Sequence, residues 1–183
     1  MIQKAYTETS IGQCHYRFRE GEGTPIVFLH QTPSSSLMYE EIIQLMPQNT
    51  CIAIDTPGFG MSDDISGNPN VADYGQSIVE ALINIKISDF HLLGHHSGAS
   101  IALHMENEFN HMVSSLTLIG AFLATKEEKE LMKNQTGLDW SPKEDGTHLL
   151  NAWKLAGDIL GAGENLDLRQ RETLDAIRAE ASA

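Results

Sequence analysis

The chain has 183 residues, 41% of them hydrophobic and 20% charged, with a formal net charge of −13 from 12 Lys+Arg against 25 Asp+Glu. That length holds one domain with a full core and is too short for two of comfortable size. The acidic balance, with no basic stripe, disfavours nucleic acid and anionic membrane surfaces as partners.

Taken in order, residues 1–10 contain no apolar region of the signal-peptide kind, and no later run approaches membrane-spanning length. The default address is therefore cytoplasmic. Residues 5–9 and 12–19 read as strands closed by a turn at 20–23, an antiparallel start to a sheet that then becomes parallel. Residues 25–30 form a continuous apolar run suited to a strand buried on both faces. A polar loop at 31–36 leads into a helix bearing Ile42, Ile43, Leu45 and Met46, which Pro47 stops. Residues 50–55 are the next buried strand. Cys51 opens it as a small hydrophobe, and with Cys14 far away no disulfide framework is expected. Residues 56–70, rich in Gly, Pro, Ser and Asp, have neither period and read as a loop. Asn70 can cap a helix whose Val71, Tyr74, Ile78, Ala81, Leu82 and Ile85 share a face, with Asp73 in its first turn complementing the dipole.

Residues 90–93 are a short apolar run, followed by Gly94-His95-His96-Ser97-Gly98 and then by Ala99, Ala102 and Leu103 at helical spacing. Strand, tight turn and helix form the context of a nucleophile elbow. Small residues are needed two positions either side of its tip, where strand and helix backbones nearly touch. With His96 at the tip both flanks are glycine; with Ser97 there they would be His95 and Ala99. The spacing therefore predicts that His96 occupies the tip and Ser97 starts the helix, which runs to about Phe109. A strand at 113–119 follows. Strands alternating with helices in this way predict a doubly wound α/β sheet. After Gly120 the pattern changes to helices at about 125–133, 148–160 and 167–181, the last with Asp167 as cap and Gln170 completing a capping-box variant. No strand is expected after Ile119.

Three ordered motifs carry a family resemblance. They are the elbow, the Phe28-Leu29-His30-Gln31-Thr32-Pro33 segment, and Asp55-Thr56-Pro57-Gly58-Phe59-Gly60-Met61-Ser62-Asp63. Together they resemble the α/β-hydrolase superfamily over roughly residues 10–120. Two departures stand out: Gln31 replaces a glycine, and His96 stands where the family carries a serine, aspartate or cysteine. The resemblance implies a three-layer fold, a mostly parallel sheet with an antiparallel start and helices on both faces, ending before the family's last strands. It divides the chain into a hydrolase core at 1–122 and a helical lid or cap-like segment at 123–183.

The resemblance also implies roles. His96 and Ser97 are the candidate catalytic residues, and the amides of Thr32 and Ser97 the candidate oxyanion hole. His30 and Asp55 are expected to be structural, Asp55 as organiser of the Pro-Gly loop. The acid and base that follow the family's last strands have no counterpart, so the triad is incomplete. Imidazole at the tip can serve as general base or as nucleophile. No metal or cofactor is expected, since His95 and His96 are adjacent and lack further ligands at metal spacing. These features point to a small-molecule hydrolase acting on an ester, lactone, epoxide or carbon–halogen bond, or a fragment of one. The alternatives are a non-catalytic ligand-binding or interaction protein on the same fold, and lyase or oxygenase chemistry with His96 as base. The expected partner is a small molecule, and an exposed sheet edge would favour a homodimer.

Overall fold

A computed structural model describes residues 1–121, 125, 128 and 141–179. Its centre is a six-stranded sheet in the order β1-β2-β4-β3-β5-β6, built from β1 (Gln3–Thr9), β2 (Gly12–Arg19), β3 (Glu22–Leu29), β4 (Asn49–Ile54), β5 (Phe90–His95) and β6 (Val113–Ile119). The first two strands pair antiparallel, and β2 runs antiparallel to β4; the β4-β3-β5-β6 half is parallel. The expected mixed α/β sheet is thus present, with strand ends moved by one to three residues; β3 begins at Glu22, inside the expected turn at 20–23. His30, read as the end of a strand, falls just beyond β3.

Alternate side chains of the inner strands feed two separate cores, as the two-residue period of a strand requires. On one face Val27, Leu29, Ile52, Ile54 and Leu92 pack with α2 (Val71–Asn84) and α3 (Ser97–Phe109) through Ile78, Leu82, Ile101 and Met105. On the other, Phe28, Cys51 and Ala53 pack with Tyr39 and Ile43 from the 3₁₀ turn Ser36–Tyr39 and α1 (Glu40–Leu45). Asn70 caps α2 in a complete capping box with Asp73, as the sequence indicates. The buried face of α2 is set by Gly75, Ser77 and Val79 as well as Ile78, Ala81 and Leu82, while Val71 is 40% exposed. Val71 is the first residue of the helix.

Two further helices, α4 (Thr147–Asp158) and α5 (Leu166–Arg178), pack together. The guanidinium of Arg169 lies 4.9 Å from the Trp153 ring centroid and its Nε donates to the Trp153 carbonyl at 2.7 Å. The cap of α5 is Asn165, which accepts from the Leu168 amide, so the expected Asp167 cap is corrected: Asp167 lies inside the first turn. The charged helix expected at 125–133 lies largely outside the described residues, as does the first part of the loop that follows it.

Candidate functional site

The strand registers place the site. Leu29 pairs with Ile54 on one side and with Gly94 on the other, so the chain leaves β3, β4 and β5 side by side at the carboxyl edge of the sheet. In open α/β sheets this edge is where ligands bind. His30 to Ser36, Asp55 to Gly60 and the His96 turn therefore converge from segments far apart in sequence.

At the turn, His96 has φ 53° and ψ −111°, a positive φ that a non-glycine residue adopts only under constraint, and α3 begins at Ser97. The constraint comes from the flanks. A Cβ on Gly94 would lie 2.7 Å from the Ala99 Cα, and one on Gly98 would lie 2.6 Å from the His30 carbonyl oxygen. Both glycines are needed for β5, α3 and the end of β3 to meet. The His96 amide donates to the Ile119 carbonyl at 2.8 Å, tying the tip to the end of β6. His96 is exposed, with its ring directed away from the core.

Ser97 is half-buried, and its hydroxyl oxygen accepts the Thr32 amide at 2.7 Å. The two residues named for the oxyanion hole are thus brought together. The Thr32 N–H is directed at a side chain of the protein, however, and the Ser97 amide alone keeps the free first-turn position that a helix N-terminus provides. His95 is partly buried, and burial first, then the neighbouring His96, lowers its pKa from the ordinary value.

Behind the tip, Asp55 is fully buried and meets donors on both oxygens. The Ser36 amide reaches Oδ1 at 2.6 Å, the Met61 amide Oδ2 at 2.9 Å, and His15 Nδ1 lies 2.7 Å from Oδ2. Burial by itself would raise the carboxyl pKa; the hydrogen bond from His15 and the bonds from Ser36 outweigh it and hold the group at about 2. Asp55 is an anion at neutral pH that fixes two loops, with donors on both of its side-chain oxygens. His30 is equally occupied: Nε2 accepts the Thr56 amide at 2.9 Å and Nδ1 faces the Gln31 carbonyl at 2.9 Å. This pattern fixes the neutral tautomer with the proton on Nδ1, which makes His30 a strut between the β3 and β4 loops.

Helix α5 contributes what sequence reasoning missed. Glu172 and Asp175 are buried, at 3% and 4% exposure, while Leu174 is 46% exposed. Asp175 Oδ2 accepts the Ser35 hydroxyl at 2.6 Å, bringing a carboxylate onto the loop after β3. A trace of this was present in the sequence: Glu172, Asp175, Ala176 and Ala179 follow an i, i+3, i+4, i+7 spacing, and the two alanines let the helix sit close. Beside it, a cleft of about 230 Å³ is lined by Leu37, Arg171, Leu174, Asp175 and Arg178 among others. Among the described residues no three of His, Cys, Asp and Glu gather in a way that would hold a metal ion. No helix there is long and apolar enough to cross a membrane.

A parallel half-sheet with an elbow at β5–α3, a loop after β3 aimed at it and an aspartate-anchored Pro-Gly loop defines a hydrolase-type scaffold. The model of the alpha/beta hydrolase fold family matches residues 24–153, and the chain belongs to that family. Its relatives include the (E)-2-((N-methylformamido)methylene)succinate hydrolase of Acinetobacter baylyi, 26% identical over 102 residues, which are 55% of this chain and 38% of that protein. Haloalkane dehalogenase 2 of Mycobacterium tuberculosis is 29% identical over 104 residues, 56% of this chain and 36% of the relative. Among solved structures, the enol-lactonase from Burkholderia xenovorans LB400 has a TM-score of 0.76 at 14% identity, over 97% of this chain and 69% of that one. An N-acyl homoserine lactonase has a TM-score of 0.72 at 21% identity, over 97% of this chain and 68% of that one. At such identities the likeness is one of fold. The matches span well under half the length of the curated relatives.

Proposed function

We propose that this chain carries the core of a small-molecule hydrolase acting on an ester, lactone, epoxide or carbon–halogen bond, with residues 123–183 as its lid. The observation that carries this reading is the elbow, in which paired glycines hold the exposed His96 at a positive φ at the carboxyl end of β5. The succinate hydrolase, dehalogenase and lactonase relatives support the reaction class. A carbon–halogen bond is the least favoured of the four, because histidine cannot form the covalent ester that an elbow aspartate would. At the tip, imidazole attacks an activated acyl carbon through its lone pair. The leaving group departs with the electrons of the broken bond, and water then cleaves the acyl-imidazole.

A second reading has its own support. His96 has no carboxylate partner among the described residues, and the Thr32 amide is already engaged. Both features suit a protein that binds a small acyl ligand without turning it over. A panel of p-nitrophenyl esters separates the two. The hydrolase reading expects slow turnover, faster than free imidazole gives, and expects His96→Ala to abolish it. Turnover indistinguishable from free imidazole, and unchanged in that variant, would leave only the binding reading.

A further inference from the structure

The contact between α5 and the loop after β3 holds more acid than its donors satisfy. Glu172 and Asp175 lie three residues apart on the buried face of α5, and each feels the other's charge. Asp175 Oδ2 takes the only proton that the Ser35 hydroxyl has, while the Ser35 oxygen accepts the Leu37 amide at 3.2 Å. Glu172 Oε1 accepts from Arg171 Nη2 at 3.2 Å, and its buried Oε2 meets no donor among the described residues. The neighbours supply little more. Asp55, on the loop after β4, adds a third negative charge, and His15 is committed to it. His30 is in reach but is held neutral by the Thr56 amide. None of His148, Lys154 and Asp158 on α4 is among the groups acting on Asp175. Asp167, Arg171 and Arg178 line the cleft beside Asp175, and of these Arg171 is already shared with Glu172. Two buried carboxylates served by one hydroxyl and one guanidinium leave an oxygen both charged and unsolvated, which is costly. A proton on either carboxyl removes that charge and adds a donor.

We propose that α5 is a proton-held latch: it sits on the loop after β3 while Glu172 and Asp175 hold one proton between them, and lifts away once that proton is lost. Burial and the charges of Glu172 and Asp55 raise the Asp175 pKa, the direction the latch requires, and the two carboxyls titrate as a pair. A carboxyl that holds its proton more tightly when docked stabilises docking at low pH, and ceases to as pH rises through the docked value. The cleft beside Asp175 gives the proton a way out to solvent. Ser35 belongs to the loop whose Thr32 amide meets Ser97, so lifting α5 frees one wall of the crevice. The latch stands whether or not that crevice turns a substrate over.

Amide hydrogen exchange on the full chain tests this, read as protection factors so that the intrinsic pH dependence of exchange cancels. As pH climbs from about 4 to about 8, protection across α5 should fall by up to about tenfold per pH unit, the effect of one proton. Protection across α3 should stay level. In Asp175→Asn and in Glu172→Gln the α5 slope should flatten, because the remaining carboxyl no longer has a charged partner. Ser35→Ala should lower α5 protection at every pH and keep the parent's slope, since the hydroxyl is a contact and not the titrating group. Level α5 protection in the parent chain would overturn the proposal. A fall shared equally by α3 would overturn it too, since it reports opening of the whole sheet, and so would a parent-like slope in both carboxamide variants. Ester turnover bears on the hydrolase reading alone.

Discussion

Ser35 donates its hydroxyl proton to Asp175 Oδ2 at 2.6 Å across 140 residues of sequence, and both side chains are buried. The bond pins α5 to the loop after β3 and brings two carboxylates, Glu172 and Asp175, against the end of the sheet. Burial raises the Asp175 pKa first; the bond from Ser35 opposes it, and the charges of Glu172 and Asp55 add to it. A carboxyl with a raised folded pKa contributes stability that is complete below its unfolded value of about 3.9, and loses it as pH climbs through the folded value. Asp175→Asn keeps an acceptor for Ser35 but cannot titrate. Its stability relative to the parent chain should therefore rise as pH climbs from about 4 toward neutrality. Urea midpoints across that range measure this, and a constant difference would show that Asp175 does not titrate there.

Asp55 carries the opposite sign. Its pKa, held at about 2, lies below the unfolded value, so its contribution is complete at neutral pH and is lost as pH falls toward 2. Asp55→Ala would leave the Ser36 and Met61 amides and His15 without their buried acceptor, at a cost of about 3–5 kcal/mol. Asp55→Asn should fall between the two and flatten the acid limb of the stability curve. Equilibrium unfolding at neutral and acid pH reads both effects; an acid limb as steep in Asp55→Asn as in the parent would place the anion elsewhere.

The positive φ of His96 is a strain that the paired glycines enforce. Glycine at the tip removes that strain and alanine does not, so His96→Gly should be more stable than His96→Ala by about 1 kcal/mol, despite glycine's greater freedom in the unfolded chain. Thermal unfolding of the two variants compares them directly. Alanine proving the more stable of the pair would mean that the turn is relaxed.

Cys14 and Cys51 are free and buried. Burial pushes the Cys14 thiol up to about 12, with the nearby Asp55 adding to it against the bond from Ser62, and burial likewise raises Cys51. Since the thiolate is the reactive form, Ellman's reagent should label neither in the folded chain, and both at the rate of opening in urea. Rapid labelling without denaturant would contradict this burial.

What the sequence determined by itself was decided over short spans of chain. The elbow register followed from five residues, because Gly94 and Gly98 are the positions where an added Cβ would strike backbone. The start of α2 followed from Asn70 and Asp73, whose capping box closes within one turn. The inner strands could be read from apolar runs because the ends of β3 and β4 are buried on both faces, and the family's motif predicted the anchoring role of Asp55. Tertiary structure decided the rest. That Thr32 gives its amide to Ser97, 65 residues away, that His15 meets Asp55, and that α5 turns Glu172 and Asp175 inward while Leu174 faces out are all outcomes of docking. A periodic pattern reports which side chains favour burial; it carries no record of which distant polar group will be waiting there. The last helix sits acid-side in because Ser35 supplies a buried donor at the contact, and that coincidence exists only once the loop after β3 and α5 share the same edge of the sheet.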